Sequence, residues 1–236
     1  MTEASAMNLR TRMLLEAPIA STLIKLAVPI ILVMGAQASA GLIETYFIGK
    51  LGTDALAGMA LVFPIVMLMQ MTSAGAMGGG IASAIARALG ARRTQDANAL
   101  IQHAMLIACG FAALFMLVVL GFGRELYGEM GGTGAALEAA LVYSRWVFAG
   151  SALVWIFNSL SAVICGTGNM SLPALVTVIG TIGLVPLSPL LIFGWGPVPA
   201  MGIAGGALAL LIYYAAGCVA LIAYLCWRPA ACTCVR

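Results

Sequence analysis

Glu44 is the one carboxylate well inside a long apolar run, within Gly41-Leu42-Ile43-Glu44-Thr45-Tyr46-Phe47-Ile48-Gly49. An acid at that depth is expensive to hold in a bilayer, which makes it by default a group with a task. Gln37 stands seven residues earlier, and at about 100° per residue the two side chains share a helix face roughly 10 Å apart along the axis. Gly41 lies between them on that face. A polar stripe with a small residue at its centre suits the wall of a cavity, and an acid there could hold a proton and a cation in turn. Two structural readings compete: Glu44 reaches the outer interface near Lys50, or it pairs with Arg145 as a bridge.

Asn158 and Ser161 share a second helix face at i, i+3 spacing. They either line the same cavity or bond to neighbouring helices and their own backbone, as Ser and Asn commonly do in membrane helices. His103, the single histidine, cannot form a metal site alone and reads as an interfacial polar residue. There is no HExxH, no GxSxG and no phosphate-binding glycine loop followed by Lys, so neither enzymatic chemistry nor an ATP-driven pump is expected of this chain, and no cofactor or metal.

The elements that must position these groups are membrane helices. No charged residue lies between Asp54 and Arg87, and about six such stretches reach the roughly 20 residues that cross a bilayer. At 63% hydrophobic and 8% charged the chain cannot hide its apolar surface in a soluble globule. The runs are continuous rather than alternating, and an open sheet would leave unpaired backbone groups in lipid. The expected fold is therefore all-α, a polytopic bundle with spans near residues 26–48, 55–76 (running on helically towards 89), 97–122, 138–165, 172–193 and 202–227.

Lys and Arg fall asymmetrically. Arg10, Arg12, Lys25, Arg87, Arg92, Arg93, Arg228 and Arg236 share one side, against Lys50, Arg124 and Arg145 on the other, so both termini are expected in the cytoplasm of a bacterial plasma (inner) membrane. Residues 1–25 read as a cytoplasmic segment with a short interfacial helix rather than a removable signal peptide, residues 26–227 as one six-helix body, and 228–236 as a short tail. The formal charge of +3 is explained by cytoplasmic loops, and no basic stripe interleaved with aromatics points to nucleic acid. The six cysteines include no CxxC pair and read as reduced packing residues, with Cys232 and Cys234 in the tail.

Small residues crowd several spans, as in Gly75-Ala76-Met77-Gly78-Gly79-Gly80 and Gly202-Ile203-Ala204-Gly205-Gly206-Ala207, and let helix backbones touch in lipid. Pro29, Pro64, Pro173, Pro186 and Pro189 lie within or beside spans, where each removes a backbone hydrogen bond and permits a bend. The bend at Pro29 falls in the span that carries Glu44. The density of both residue types describes a bundle that moves.

Four segments carry a resemblance. Leu26-Ala27-Val28-Pro29-Ile30 with the run from Gly41 to Gly52 resembles the opening helix of the multidrug and toxic compound extrusion (MATE) family. Cys165-Gly166-Thr167-Gly168-Asn169-Met170-Ser171-Leu172-Pro173 resembles that family's RGxGNxxxP turn between its fourth and fifth helices. Leu190-Leu191-Ile192-Phe193-Gly194 and Met201-Gly202-Ile203-Ala204-Gly205-Gly206-Ala207 match its LLIFG and MGIxGAA segments in order and spacing. The resemblance implies one of two six-helix lobes around a central cavity, in a transporter that exchanges Na⁺ or H⁺ for organic, often cationic, compounds moving outward.

By that resemblance Glu44 takes the place of the first-helix acid, Pro29 the bend and Gln37 a cavity position, with Gly41 beside it. Asn158 and Ser161 fall near the cation and substrate pocket. The fifth helix of the family often carries an Asn and an Asp four residues apart, and register puts Leu184 and Ser188 there. Ser188 and Thr181 keep hydroxyls, but a site with one carboxylate should hold Na⁺ weakly, so H⁺ coupling through Glu44 is the more economical expectation. Cys165 stands where the family's turn usually has Arg.

The resemblance covers the first half of a family member. A truncated fragment and a homodimer of half-transporters, which could rebuild the cavity about a two-fold axis, are both open readings of that length. The expected partners are a small organic substrate, the lipid bilayer and a second lobe. Other functions in play are a non-transporting scaffold and a lipid-linked sugar flippase, which would want a row of cations in the cavity where Arg145 is the single candidate.

Overall fold

The computed structural model describes residues 19–91, 93–194 and 199–227. The segment before Ile19 and the tail with Cys232 and Cys234 lie outside the described residues. Among the described residues eight α-helices and one π-helical turn follow one another, and no strand occurs. These are α1 (Ile19–Gly49), α2 (Thr53–Gln70), a π-helical turn (Met71–Met77), α3 (Gly78–Gly90), α4 (Thr94–Glu129), α5 (Gly134–Ala149), α6 (Ser151–Gly166), α7 (Ser171–Phe193) and α8 (Ile203–Trp227).

Five of the resulting bodies are long and apolar enough to cross a membrane alone, and α5 with α6, bent by 47°, make a sixth. The protein is an integral membrane protein. The second span runs unbroken from Thr53 to Gly90, but its middle is the π-helical turn rather than plain α-helix. The fourth span, expected as one helix over 138–165, is two. Gly150 ends α5, and the Ser151 hydroxyl donates to the Ala112 carbonyl of α4 at 3.0 Å, anchoring the start of α6 to the third span. α1 is helical through Pro29.

α1 lies along α7, α7 along α8, and α8 against both halves of the fourth span; the second span packs on the fourth, and the third covers the fourth from outside. Trp155, Tyr127 and Phe148 are fully enclosed at the centre, and Trp155 stacks on Phe111 with ring centroids 5.3 Å apart. Small residues make the closest approaches. A Cβ on Gly58 would stand 2.7 Å from the Ala139 side chain and 2.8 Å from the Ala140 amide, so α2 and α5 meet backbone to side chain there. Packing of this kind holds helices together where water exclusion cannot.

The turn after α6 explains one recognised segment. Gly168 has φ +86°, a conformation that favours glycine. The Asn169 side-chain Oδ1 accepts the Leu172 amide of α7 at 3.3 Å, and its Nδ2 donates to the Tyr224 hydroxyl of α8 at 3.0 Å. One asparagine thus caps the fifth span and ties it to the sixth. Gly194, which closes Leu190-Leu191-Ile192-Phe193-Gly194, has φ +74° and ends α7 with its amide on the Leu190 carbonyl.

Candidate functional site: a buried acid and a neighbouring amide cluster

Glu44 sits near the C-terminal end of α1, 8% exposed. The Tyr143 hydroxyl of α5 donates to its Oε1 at 3.3 Å. Gly206 of α8 borders it, where a Cβ would stand 3.4 Å from the same oxygen, an ordinary contact distance. A crevice of about 10 Å³ beside the acid is lined by Ala40, Ile43, Glu44, Leu184, Val185 and Ser188. Ser188 is 2% exposed, and its hydroxyl has no hydrogen-bond partner. The acid therefore faces one phenol and one unpaired hydroxyl.

Neither structural alternative for Glu44 holds. Arg145 is exposed, and the ion pairs among the described residues are Arg93 with Asp96 and Arg124 with Glu138, so no bridge to Arg145 forms. Lys50 sits over the Tyr46 ring, its Nζ 4.6 Å from the centroid, and Glu44 points inward rather than to the interface. A buried carboxylate without a cation is costly in its ionised form.

Asn158 belongs to a second cluster. Its amide donates to Gln70 Oε1 at 3.2 Å and to Ser73 Oγ at 2.8 Å; the Gln70 amide donates to the Tyr214 hydroxyl, and Ser73 Oγ donates to the Gln70 carbonyl at 3.4 Å. Gln70 and Ser73 bracket the start of the π-helical turn, a feature that recurs at functional sites. Both clusters touch α8, where Gly206 lies beside Glu44 and Tyr214 accepts the Gln70 bond.

The other expected site residues scatter. Ser161 shares a face with Asn158, but its hydroxyl is buried without a partner and takes no part in the amide cluster. Thr181 is buried on α7. Gln37 and Gly41 are exposed, and a Cβ on Gly41 would meet nothing within 4 Å, so the stripe they were expected to form with Glu44 is enclosed only at the Glu44 end. The side chain of Pro29 lies outside what the structure describes. Residue type and spacing alone do not single out Tyr143, Gln70, Ser73 or Tyr214. Gln70 carries a signal all the same, as an amide inside the uncharged run from Asp54 to Arg87, and so does Tyr214, a phenol at mid-span rather than in an interfacial belt.

Glu44 is thus a buried acid on the first helix of a membrane helix bundle, with no basic partner among the described residues. The MatE family model matches residues 29–190, more than half of the chain, and the chain belongs to that family. The FAD transporter of Shewanella oneidensis is 29% identical over 200 residues, covering 84% of this chain and 44% of that protein. The probable multidrug resistance protein NorM of Deinococcus radiodurans is 30% identical over 210 residues, covering 82% of this chain and 44% of its own. A solved outward-facing multidrug resistance MATE transporter of the MOP superfamily is similar with a TM-score of 0.77 at 27% identity, over 86% of this chain and 44% of that one. The chain spans less than half the length of the curated relatives it matches.

Proposed function

We propose that this chain works as one lobe of a secondary antiporter that moves small organic compounds, often cationic, out of the cell in exchange for H⁺. The observation that carries the reading is Glu44, a buried carboxylate on a membrane helix with one phenol donor, no basic partner among the described residues and an unpaired hydroxyl across its crevice. Such a group is poorly satisfied when ionised and alone, and either a proton or an organic cation relieves it. The exchange of one for the other is the elementary step of an antiporter. Proton coupling is favoured over Na⁺ because a hard cation wants several oxygen ligands, whereas Leu184 offers none and Ser188 only a hydroxyl.

The similar proteins include a FAD transporter and probable multidrug resistance proteins, which supports export of organic molecules without choosing among them. A second lobe completes the cavity, supplied by a second copy or by further chain. The asymmetry of Lys and Arg supports a plasma-membrane orientation with both ends of the bundle in the cytoplasm. The test is reconstitution of the chain in liposomes with a pH gradient and a fluorescent organic cation. Uptake that follows the gradient and disappears in Glu44→Gln, with insertion unchanged, supports the proposal; equal uptake by both proteins, or insertion lost in Glu44→Gln, defeats it.

A further inference from the structure

The Ser188 hydroxyl behaves unlike others in this bundle. Those of Ser39, Thr45 and Thr72 turn back to the carbonyl four residues earlier, at 2.8, 2.7 and 2.7 Å, the common resting place of a helical hydroxyl. The Ser188 hydroxyl is buried and takes no partner, although Ser188 borders the crevice of Glu44. A buried hydroxyl left unmatched is costly, and ordered water is the usual remedy.

A second unmatched group follows from the sequence. Pro189 lies inside α7 and has no N–H, so the Val185 carbonyl loses the donor that a regular helix would supply four residues on. Val185 lines the same crevice. The third group is the acid itself, whose carboxyl offers about four acceptor positions and receives the Tyr143 hydroxyl at Oε1. Ala40, Ile43 and Leu184 complete the wall with apolar surface. The crevice measures about 10 Å³, and a single water needs roughly 10–15 Å³ with two to four polar partners. There is room for one water and not for two.

We infer that the crevice is a hydration site, in which one ordered water accepts the Ser188 hydroxyl and donates to the Glu44 carboxyl and the Val185 carbonyl. Such a water serves both states of the acid. It donates to the ionised carboxylate; when the acid is protonated, the acid's O–H donates to the water, which keeps a hydrogen on the Val185 carbonyl. A backbone N–H in its place could donate but never accept. The site stands on the three groups and the volume they enclose, and its use in a cycle of protonation rests on the reading of Glu44 as the exchanging acid.

The test is a structure of the parent chain from crystals grown in a lipid phase, at a resolution that shows ordered water. The expected result is one peak at about 2.5–3.2 Å from Ser188 Oγ, a Glu44 carboxyl oxygen and the Val185 carbonyl oxygen. An empty crevice overturns the inference, and so does a peak that misses any of the three. A peak with every contact below about 2.5 Å marks a bound cation and overturns it as well.

Infrared spectra at acid pH supply a second readout. The carbonyl stretch of protonated Glu44, assigned by its loss in Glu44→Gln, is expected to rise in frequency in Ser188→Val, whose larger side chain fills the crevice. Ser188→Thr is the milder version should the valine misfold. A stretch that stays in place in the folded variants overturns the bridge to the acid. The two readings fail separately: equal uptake by Glu44→Gln and the parent chain defeats the antiporter and leaves peak and band in place, whereas an empty crevice removes the water and leaves the acid's exchange to be judged by uptake.

Discussion

The two polar clusters of this bundle share α8, yet they are satisfied to opposite degrees. Around Asn158 each polar side chain has a partner: its amide reaches Gln70 and Ser73, Ser73 returns a bond to the Gln70 carbonyl, and Gln70 continues to Tyr214. Around Glu44 a carboxylate has one phenol at 3.3 Å, and the hydroxyl across its crevice has nothing. A closed network in a low-dielectric interior fixes geometry, whereas a half-open one is the place where something else binds. The difference fits a framework role for the Asn158 cluster, which pins the π-helical turn of the second span to the fourth and sixth, and the exchange role proposed above for the Glu44 crevice.

That comparison can be broken most forcefully at Glu44. Glu44→Gln is expected to reduce gradient-driven transport to background while the melting temperature in detergent stays level or rises, because a neutral amide replaces an acid that had no cation; a fall in both together would make Glu44 part of the framework. Next in size is Asn158→Ala, which orphans Gln70 and Ser73 and should cost about 1–3 kcal/mol of stability, read as a drop in melting temperature. A double-mutant cycle with Gln70→Ala would show coupling between the two amides, and additive effects would say that the cluster is not one unit.

Tyr143→Phe removes the single donor to Glu44 and nothing else, so it should cost only about 0.5–1.5 kcal/mol of stability while slowing transport several-fold in the same liposome assay. Smallest is Ser188→Ala. It deletes a hydroxyl that already lacks a partner, and its effect on stability should stay within about 0.5 kcal/mol. A large loss of stability there would mean that the crevice is better satisfied than its geometry shows.

The spans were legible in the sequence because hydrophobicity at bilayer length is a strong, local signal, and the second span's continuation towards Leu89 was legible for the same reason. The break at Gly150 was not, since it depends on a glycine meeting the Leu211 side chain of the sixth span and on the Ser151 bond to the third, both distant in the chain. Glu44 announced itself because a charge in lipid is rare. Its partner Tyr143 is almost a hundred residues away and is chemically an ordinary aromatic until the fold brings it in. Gln37 shows the limit of helical periodicity: it shares a face with Glu44, but α7 and α8 close over that face only at the level of the acid. Asn158 and Ser161, neighbours by spacing, part company because only Asn158 reaches the π-helical turn.

The central claim is that one carboxylate holds a proton and an organic cation in turn. It is tested most directly by adding tetraphenylphosphonium to the chain in weakly buffered detergent solution and recording proton release. The parent chain is expected to release a proton as the cation binds. Asn158→Ala is expected to do the same for the fraction that stays folded, and Glu44→Gln is expected to release none. Equal release from the parent chain and Glu44→Gln, or cation binding without release in the parent chain, would contradict the claim.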